Sequence, residues 1–238
     1  MIKLSFSTLI IAILLFSFSC RSNKKQYSAA QNFLDNNKTF INEDVRQLLV
    51  VFNAFADDHL ATLVAMERTE NSWEPVYKSV PAVIGKNGFA APGEKREGDG
   101  KSPVGLFKLG QLYTYEGQVD TQMPFTQSTP EDKWIDDPES PDYNRHVRGP
   151  TSANTYENLK LKSDHYKYCM VIRYNTDPVV KGKGSAIFLH LREQEDEATA
   201  GCIAISEPDM LQLLKWLDPK KHPMILMGTM QGLPNSLH

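Results

Sequence analysis

The sequence feature that most constrains the fold is the stretch from Gly184 to Gly228, where short apolar runs enclose an acidic loop and one helix. One apolar run ends in His190, and Cys202 follows twelve positions later, directly after Gly201. The short loop between them brings an imidazole and a thiol towards each other. The stretch therefore predicts a nucleophile and base pair, Cys202 and His190, carried by a sheet.

The best-defined element of this stretch is a helix that begins after Ser206. Ser206 is a good N-cap, the acidic Asp209 follows three positions later, and Pro208 is tolerated in the first turn. Apolar residues then recur at helical spacing, namely Met210, Leu211, Leu214 and Leu217. Pro219 ends the pattern, and residues 224–228 predict a closing strand.

Apolar runs upstream of this stretch predict several further strands. The runs at 48–52 and 60–66 are separated by Asp57-Asp58, which favours a hairpin. Other strands are expected at residues 73–77, 80–84, 104–109, 168–174 and 186–190. Many short strands against one good helix predict a mainly β domain.

Two longer segments interrupt the strands. Residues 86–105 are crowded with Gly and Pro turn formers, which predicts an ordered loop. Residues 115–165 are polar, carry several aromatic side chains and lack apolar periodicity. A segment of this length is either disordered or functional, and its aromatic residues favour an ordered wall that faces a substrate.

Composition restricts the possible partners. The formal net charge is −3, so there is no reason to expect nucleic acid as a partner. Neither Cys-x-x-Cys nor His-x-x-x-His occurs, and we expect no metal and no cofactor. Beyond Cys20, only Cys169 and Cys202 remain, which is too few for a disulfide framework, although one bridge stays possible.

The first twenty residues have the pattern of an export signal. A lysine near the start is followed by an apolar run at residues 9–16 and by small residues before Cys20. The pattern resembles a bacterial lipoprotein signal, which predicts that Cys20 is lipidated, that residues 21–44 form a polar tether and that residues 45–230 form the domain. The expected location is the periplasm or the outer membrane. A plain signal peptide and an uncleaved anchor remain alternatives.

The chemistry of the predicted pair follows from its residue types. A free cysteine has a pKa of about 8.5, and an adjacent imidazole can take its proton and later protonate a leaving amine. Gly201 lets the backbone approach a substrate carbonyl, and the N–H groups of Gly201 and Cys202 would form an oxyanion hole. Taken alone, one His and one Cys are more often unrelated. The histidines at positions 59, 146, 165 and 222 are expected on surface loops.

Several motifs in order give the pair a context. They are Glu97 to Phe107, Trp134 to Asp137, Tyr143 to Arg145, Gly184 to His190, Thr199 to Ile205 and Leu214 to Pro219. Together they resemble the L,D-transpeptidase catalytic domain (YkuD-like) family over residues 45–228. The resemblance implies a β-sandwich or barrel with a packed C-terminal helix and a long ordered insertion.

The resemblance also implies a reaction on peptidoglycan stem peptides. In that family Cys202 would be the nucleophile and His190 the base, oriented by a nearby backbone carbonyl. The thiolate would attack the L-centre carbonyl of a diamino acid, expel the terminal D-alanine and form a thioester, which an amine then resolves.

The chain departs from the best-known signature of the family at two positions. Ala200 stands where Ser-His-Gly-Cys has its histidine, and Ala204 stands where an arginine follows the cysteine. We expect Thr199, Arg145 or Arg192 to contribute substrate binding instead. Two alternatives stay open, an L,D-carboxypeptidase or wall-linkage hydrolase with the same pair, and a non-catalytic wall-binding lipoprotein.

Overall fold

The computed structural model describes residues 41–70 and 72–229, together with Tyr27, Ala30, Gln31 and Leu34. The predictions for residues 1–20, lipidation of Cys20 included, lie outside these residues. Within the described ranges, no helix combines the length and the apolar character needed to cross a membrane.

The described elements are thirteen strands, one α-helix and one 3-10 turn at Pro219–Lys221. The first six strands are β1 Gln47–Asn53, β2 Leu60–Arg68, β3 Trp73–Pro75, β4 Val80–Val83, β5 Gly105–Thr114 and β6 Phe125–Gln127. The next six are β7 Asp132–Ile135, β8 His146–Arg148, β9 Tyr156–Asn158, β10 Tyr168–Ile172, β11 Phe188–Leu191 and β12 Ile203–Ile205. Helix α1, Glu207–Trp216, and β13, Met224–Thr229, complete the described chain.

The main sheet closes on itself. Its strands follow the order β1, β13, β5, β10, β11, β12, β4, β2, and β2 pairs again with β1. Of the ten strands in this sheet, only β3 and β6 lie outside the ring. The mainly β prediction and the hairpin of β1 with β2 are confirmed.

Strand alternation distributes the side chains between distinct cores. In β1, Leu49 and Val51 face a core inside the ring that also receives Leu213 and Leu214 of α1. The alternate residues of β1, Leu48, Val50 and Phe52, face a second core. Both faces of the strand are therefore buried, which explains its continuous apolar sequence. Burial of this many aliphatic side chains, at roughly 1.5–3 kcal/mol each, holds the ring together.

Helix α1 begins and is capped as predicted, but Leu211, which the predicted apolar pattern included, is exposed. The Ser206 side chain accepts a hydrogen bond from the Asp209 N–H, and a proline lies in the first turn. Met210, Leu213 and Leu214 are its buried residues. Because β12 ends one residue before this N-cap, the helix fixes the strand that leads away from Cys202.

The long insertion is ordered, as expected, but it contains strands that its sequence does not reveal. β7 pairs with β8 and β9 in a separate small sheet, and β6 adds to the edge of β5. These strands have three or four residues each. Such short strands show too few alternations for a period-two pattern to be seen.

Part of the segment expected to form a tether is described. Tyr27, Ala30, Gln31 and Leu34 are helical. Ala30 and Leu34 are fully buried in the second core, together with residues of β1 and β2. These two side chains therefore belong to the packing of the domain.

Candidate active site

Cys202 lies on the outer face of the ring, beneath the insertion. It belongs to a third core cluster with Phe188, Trp134 and Tyr166. Its Sγ accepts the Phe188 N–H at 3.4 Å and lies 3.2 Å from the Ala186 carbonyl oxygen, to which the thiol donates. Two backbone groups of one neighbouring segment thus fix the position of the sulfur.

The loop before Cys202 is held by two hydroxyl groups. Thr199 Oγ1 accepts the Gly201 N–H at 3.1 Å and donates to the Cys202 carbonyl at 2.7 Å. Ser102 Oγ is fully buried, accepts the Gly85 N–H at 3.0 Å and donates to the Gly201 carbonyl at 2.7 Å. The Gly-rich segment of residues 86–105 therefore holds the loop before Cys202 through the Ser102 hydroxyl.

Gly201 is required at this loop because of both conformation and space. Its φ of 154° lies in a region that L side chains rarely adopt. A Cβ on this residue would come within 2.8 Å of the Lys101 carbonyl oxygen. The close approach of two backbone segments places Cys202 at the cleft.

His190 lies in β11, and its ring is oriented by the backbone. Nδ1 lies 2.8 Å from the Leu191 carbonyl oxygen, which selects the tautomer that keeps a proton on Nδ1 and leaves Nε2 as the acceptor. The Tyr166 ring packs edge-on against the imidazole, with 5.2 Å between ring centroids. The parallel pairing of β11 with β12 places His190 opposite Ala204, two residues beyond Cys202.

Both members of the pair are neutral in this environment. Burial lowers the pKa of His190 to about 4, although the Leu191 carbonyl opposes this effect. Burial raises the pKa of the Cys202 thiol to about 12, and the Phe188 N–H opposes this effect only in part. The resting pair is therefore a thiol with a neutral imidazole, which suits a base that removes the proton as the sulfur attacks.

The two residues share one cleft of about 380 Å³. Arg192 and Thr199 also line it, but the Thr199 hydroxyl is engaged inside the loop. The Gly201 N–H, predicted for the oxyanion hole, is likewise taken by Thr199 in the resting structure.

The structure does not bring Arg145 to the cleft. Arg145 lines a separate cavity of about 860 Å³, because its carbonyl pairs with Ile135 N–H and its neighbour Asn144 takes the position next to the site. Arg145 is therefore not part of the wall of the Cys202 cleft in this structure.

Sequence reasoning missed several cleft residues. Lys95 is 5% exposed, lies in the cleft and donates to Asp99 and to the Arg96 carbonyl, both at 2.7 Å. Its positive charge lowers the pKa of the Cys202 thiol. The sequence signal that could have identified Lys95 is its position in the Gly-rich segment, which contains no amphipathic helix or strand on whose polar face a lysine would be expected.

A set of acidic side chains lines the cleft as well. Burial raises the pKa of Glu157, the nearby carboxylates of Asp136 and Glu97 raise it further, and the Tyr166 hydroxyl donates to it at 3.1 Å. Among the described residues, no group of His, Cys, Asp and Glu is arranged to hold a metal ion.

His165 also lines this cleft and is not a plain surface histidine. Its ring lies 6.3 Å from that of His190, and it contacts Ser163 and Glu197. The predicted loop position of His165 is correct, since it lies in a turn before β10, but its side chain faces the cleft. The loop prediction is wrong for His146, which lies in β8 and contacts Asp132 at 2.7 Å.

Comparison with known proteins identifies the family of this fold. The sequence model of the L,D-transpeptidase catalytic domain (YkuD) matches residues 57–226, which is more than two thirds of the chain. The chain belongs to the L,D-transpeptidase catalytic domain family. This membership supports an L,D-transpeptidase-type function on peptidoglycan.

One solved structure to which the chain is similar is the crystal structure of the helical cell shape determining protein Pgp2 from Campylobacter jejuni. The identity is 15% and the TM-score 0.40, and the alignment covers 83% of this chain and 55% of that chain. The chain therefore spans about half the length of that protein. No match was found among curated proteins.

The L,D-transpeptidase domain match includes every residue of the cleft. It also includes the two departures from the best-known signature. Ala200 is exposed at the mouth of the cleft, whereas Ala204 is buried beside His190. A buried alanine next to the imidazole leaves no cation at that position, so Lys95 and Arg192 are the basic side chains other than histidine in the cleft wall.

Gly201→Ala tests the close approach that places the nucleophile. We expect the free energy of unfolding to fall by about 1–3 kcal/mol, because the new Cβ adds strain at an unfavourable φ and meets the Lys101 carbonyl. Denaturant unfolding measures the loss. Gly182→Ala is the matched control, since Gly182 also has a positive φ, 74°, but no atom lies within 4 Å of its Cβ position. Equal losses in both variants would contradict the close approach.

The pH dependence of turnover tests the neutral state of His190. A base must be unprotonated, so kcat/KM is expected to be constant above the pKa of about 4 and to fall as the pH drops through it. The Cys202 thiol, with a pKa of about 12, adds no inflection near neutral pH. A profile of kcat/KM in buffers of constant ionic strength, with circular dichroism to show that the fold persists, makes the measurement. An acidic limb near pH 6.5 would show a solvated imidazole.

Proposed function

We propose that the protein is a cysteine-dependent acyltransferase that acts on peptidoglycan stem peptides by L,D-transpeptidation. The observation that carries the proposal is the shared cleft of Cys202 and His190 in a chain that belongs to the L,D-transpeptidase family. Each partner is held by backbone hydrogen bonds, so the pair is preorganised without a third charged residue.

The proposed first step transfers the thiol proton to His190 Nε2 while Cys202 Sγ bonds to the carbonyl carbon of the donor peptide. The imidazolium then protonates the leaving amine as the C–N bond breaks, which releases the terminal D-alanine and leaves a thioester. In the second step an acceptor amine attacks the thioester and loses its proton to His190. The sulfur leaves and recovers the proton from the imidazolium.

The developing oxyanion needs a donor at the nucleophile. The Cys202 N–H is the donor we assign, because the Gly201 N–H is bonded to Thr199. An arriving oxyanion could recruit the Gly201 N–H only if the Thr199 hydroxyl released it. This arrangement places the reacting carbonyl above the Cys202 backbone.

We assign the binding of the carboxylate of the donor stem peptide to the basic side chains of the cleft, Lys95 and Arg192. Ala204 provides no charge, whereas Lys95 keeps a buried ammonium in the cleft wall and Arg192 lies at its rim. A lysine has three donors, and two of those on Lys95 are engaged. The third is the contact that we assign to a carboxylate of the stem peptide.

Hydrolysis by the same pair is the second candidate. The departures at Ala200 and Ala204 favour it, because small residues at both positions open space beside the thioester for water. In that case the protein would be an L,D-carboxypeptidase or a hydrolase of a wall linkage. A wall-binding lipoprotein without catalysis is the third outcome of the same test.

Cys202→Ala tests the assigned nucleophile. We expect acyl-enzyme formation and all change in muropeptides to be lost, because no other group of the cleft can form the thioester. The purified protein is incubated with tetrapeptide muropeptides, and the products are weighed by mass spectrometry. Cys169→Ala is the matched control and should retain activity, because Cys169 is fully buried and does not line the cleft.

The products separate the candidate functions. Cross-linked dimers indicate transfer, and tripeptides indicate hydrolysis. Turnover that persists in Cys202→Ala would refute the nucleophile. Absence of both products and of thiol acylation by a carbapenem, in folded wild-type protein, would favour the binding module.

We further propose that the protein is exported and anchored by lipid on Cys20, in the periplasm or at the outer membrane. The support is the charged, apolar and small-residue pattern of residues 1–20. In cells fed a labelled fatty acid, wild-type protein should carry the label and enter the detergent phase. Cys20→Ala should do neither, and Cys169→Ala should behave as wild type. Label that persists in Cys20→Ala would refute the anchor.

A further inference from the structure

The carbonyl that receives the Cys202 thiol belongs to a residue in an unusual conformation. Ala186 has a φ of 52°, which costs an L residue with a Cβ about 1 kcal/mol or more relative to the extended region. It is 8% exposed and immediately precedes the part of the chain that enters β11. Such a conformation persists only where the surrounding structure holds it.

Residues 184–186 are fixed largely by hydrogen bonds to side chains of the insertion and of the Gly-rich segment. The Tyr143 hydroxyl accepts the Gly184 N–H at 3.1 Å, and Asn144 Oδ1 accepts the Ala186 N–H at 3.1 Å. Between them, the Ser185 hydroxyl donates to Glu97 at 2.7 Å, and Tyr143 donates to the same carboxylate. Three consecutive residues are thus fixed by side chains from distant parts of the chain.

Asn144 is built for this contact. Its side-chain oxygen accepts two N–H groups, from Ala186 and from Trp134 Nε1 at 2.9 Å. Its amide nitrogen donates to the carbonyls of Tyr174 at 3.0 Å and Asn175 at 2.7 Å. The residue is 4% exposed, so all four positions of its amide are satisfied inside the protein. An amide with four partners has one orientation.

We propose that Tyr143 and Asn144 are positioning residues for the nucleophile, acting through the Ala186 carbonyl on the Cys202 thiol. The inference rests on the proposed role of Cys202. It concerns two residues that touch neither the sulfur nor the imidazole. Their effect passes through Ala186, whose carbonyl oxygen accepts from Sγ: Asn144 accepts the Ala186 N–H, and Tyr143 accepts the N–H of Gly184 two residues earlier.

The chemical consequence concerns the sulfur before and after proton transfer. A carbonyl oxygen can accept from a thiol but gains nothing from a thiolate, so the Ala186 contact favours the protonated form. For the proton to reach His190, the S–H turns from the Ala186 carbonyl to Nε2. After transfer the Ala186 contact is lost, and the donors that face the sulfur are the Phe188 N–H and the new imidazolium N–H. The Ala186 contact therefore keeps the resting thiol protonated and holds the sulfur in a fixed position. The thiolate that forms later has few hydrogen-bond donors around it, which makes it reactive.

Asn144→Ala tests the positioning role through two readouts that should move in opposite directions. We expect kcat on a tetrapeptide muropeptide to fall about tenfold or more, because the sulfur is no longer aimed, while KM changes by less than about twofold. The rate of Cys202 alkylation by iodoacetamide at neutral pH should rise, because the thiol loses its fixed acceptor. Cys169 reports on unfolding, since it is fully buried and should stay unlabelled.

Three further variants complete the experiment. Trp134→Phe removes the other donor to the same oxygen of Asn144 but keeps the Ala186 contact, so it should lose stability while kcat and alkylation change much less than in Asn144→Ala. Asn144→Asp keeps the acceptor for the Ala186 N–H and should restore part of kcat relative to Asn144→Ala. If Asn144→Ala does not fold, Tyr143→Phe removes the acceptor of the Gly184 N–H and should move both readouts in the same directions, by less.

The outcomes separate this inference from the proposed function. Unchanged kcat and alkylation in folded Asn144→Ala, or equal effects in Trp134→Phe, would overturn the positioning role and leave the nucleophile intact. If wild-type protein turns over no muropeptide, the proposed function fails. The alkylation of Cys202 then decides the positioning role by itself.

Discussion

The candidate site depends on one buried hydroxyl, that of Ser102. It joins the Gly85 N–H to the Gly201 carbonyl and so links β4, the Gly-rich segment and the loop of the nucleophile. Each of these backbone groups would otherwise be buried without a partner, at a cost of about 1–3 kcal/mol. The close contact between Gly201 and the Lys101 carbonyl is possible because this hydroxyl draws the two segments together. The position of Cys202 is thus decided far from it in sequence.

Burial sets the chemistry of the pair once the position is fixed. Burial keeps the thiol protonated and the imidazole neutral, and among the described residues no ion pair is formed with either. Lys95, the buried ammonium of the cleft, is itself neutralised by Asp99. Catalysis in such a site depends on proton transfer within the pair and on backbone dipoles. These groups need no reorganisation when charge develops.

The placement of Cys202 and His190 in one cleft, the hairpin and the capped helix could be predicted, because each carries its own local signal in the sequence. His190 ends an apolar run, Cys202 follows a glycine, and Ser206 with Asp209 marks a helix start. The supporting contacts could not be predicted. Asn144 lies in an insertion without periodicity, and only the fold shows that its amide reaches Ala186 while the adjacent Arg145 lines another cavity. Residue type alone favoured Arg145 as a substrate-binding residue, since a charge suggests binding and an amide suggests a turn.

The pairing of β1 with β13 has a consequence for how the chain reaches this structure. Residues 47–53 lie beside residues 224–229, so the ring of strands closes only when these two distant segments meet. Until β13 is in place between β1 and β5, the backbone groups with which these two strands bind β13 are unpaired. Closure is a non-local event with a high entropic cost, which makes it slow. A domain without β13 therefore stays open, and it becomes compact only when this strand has paired with both neighbours.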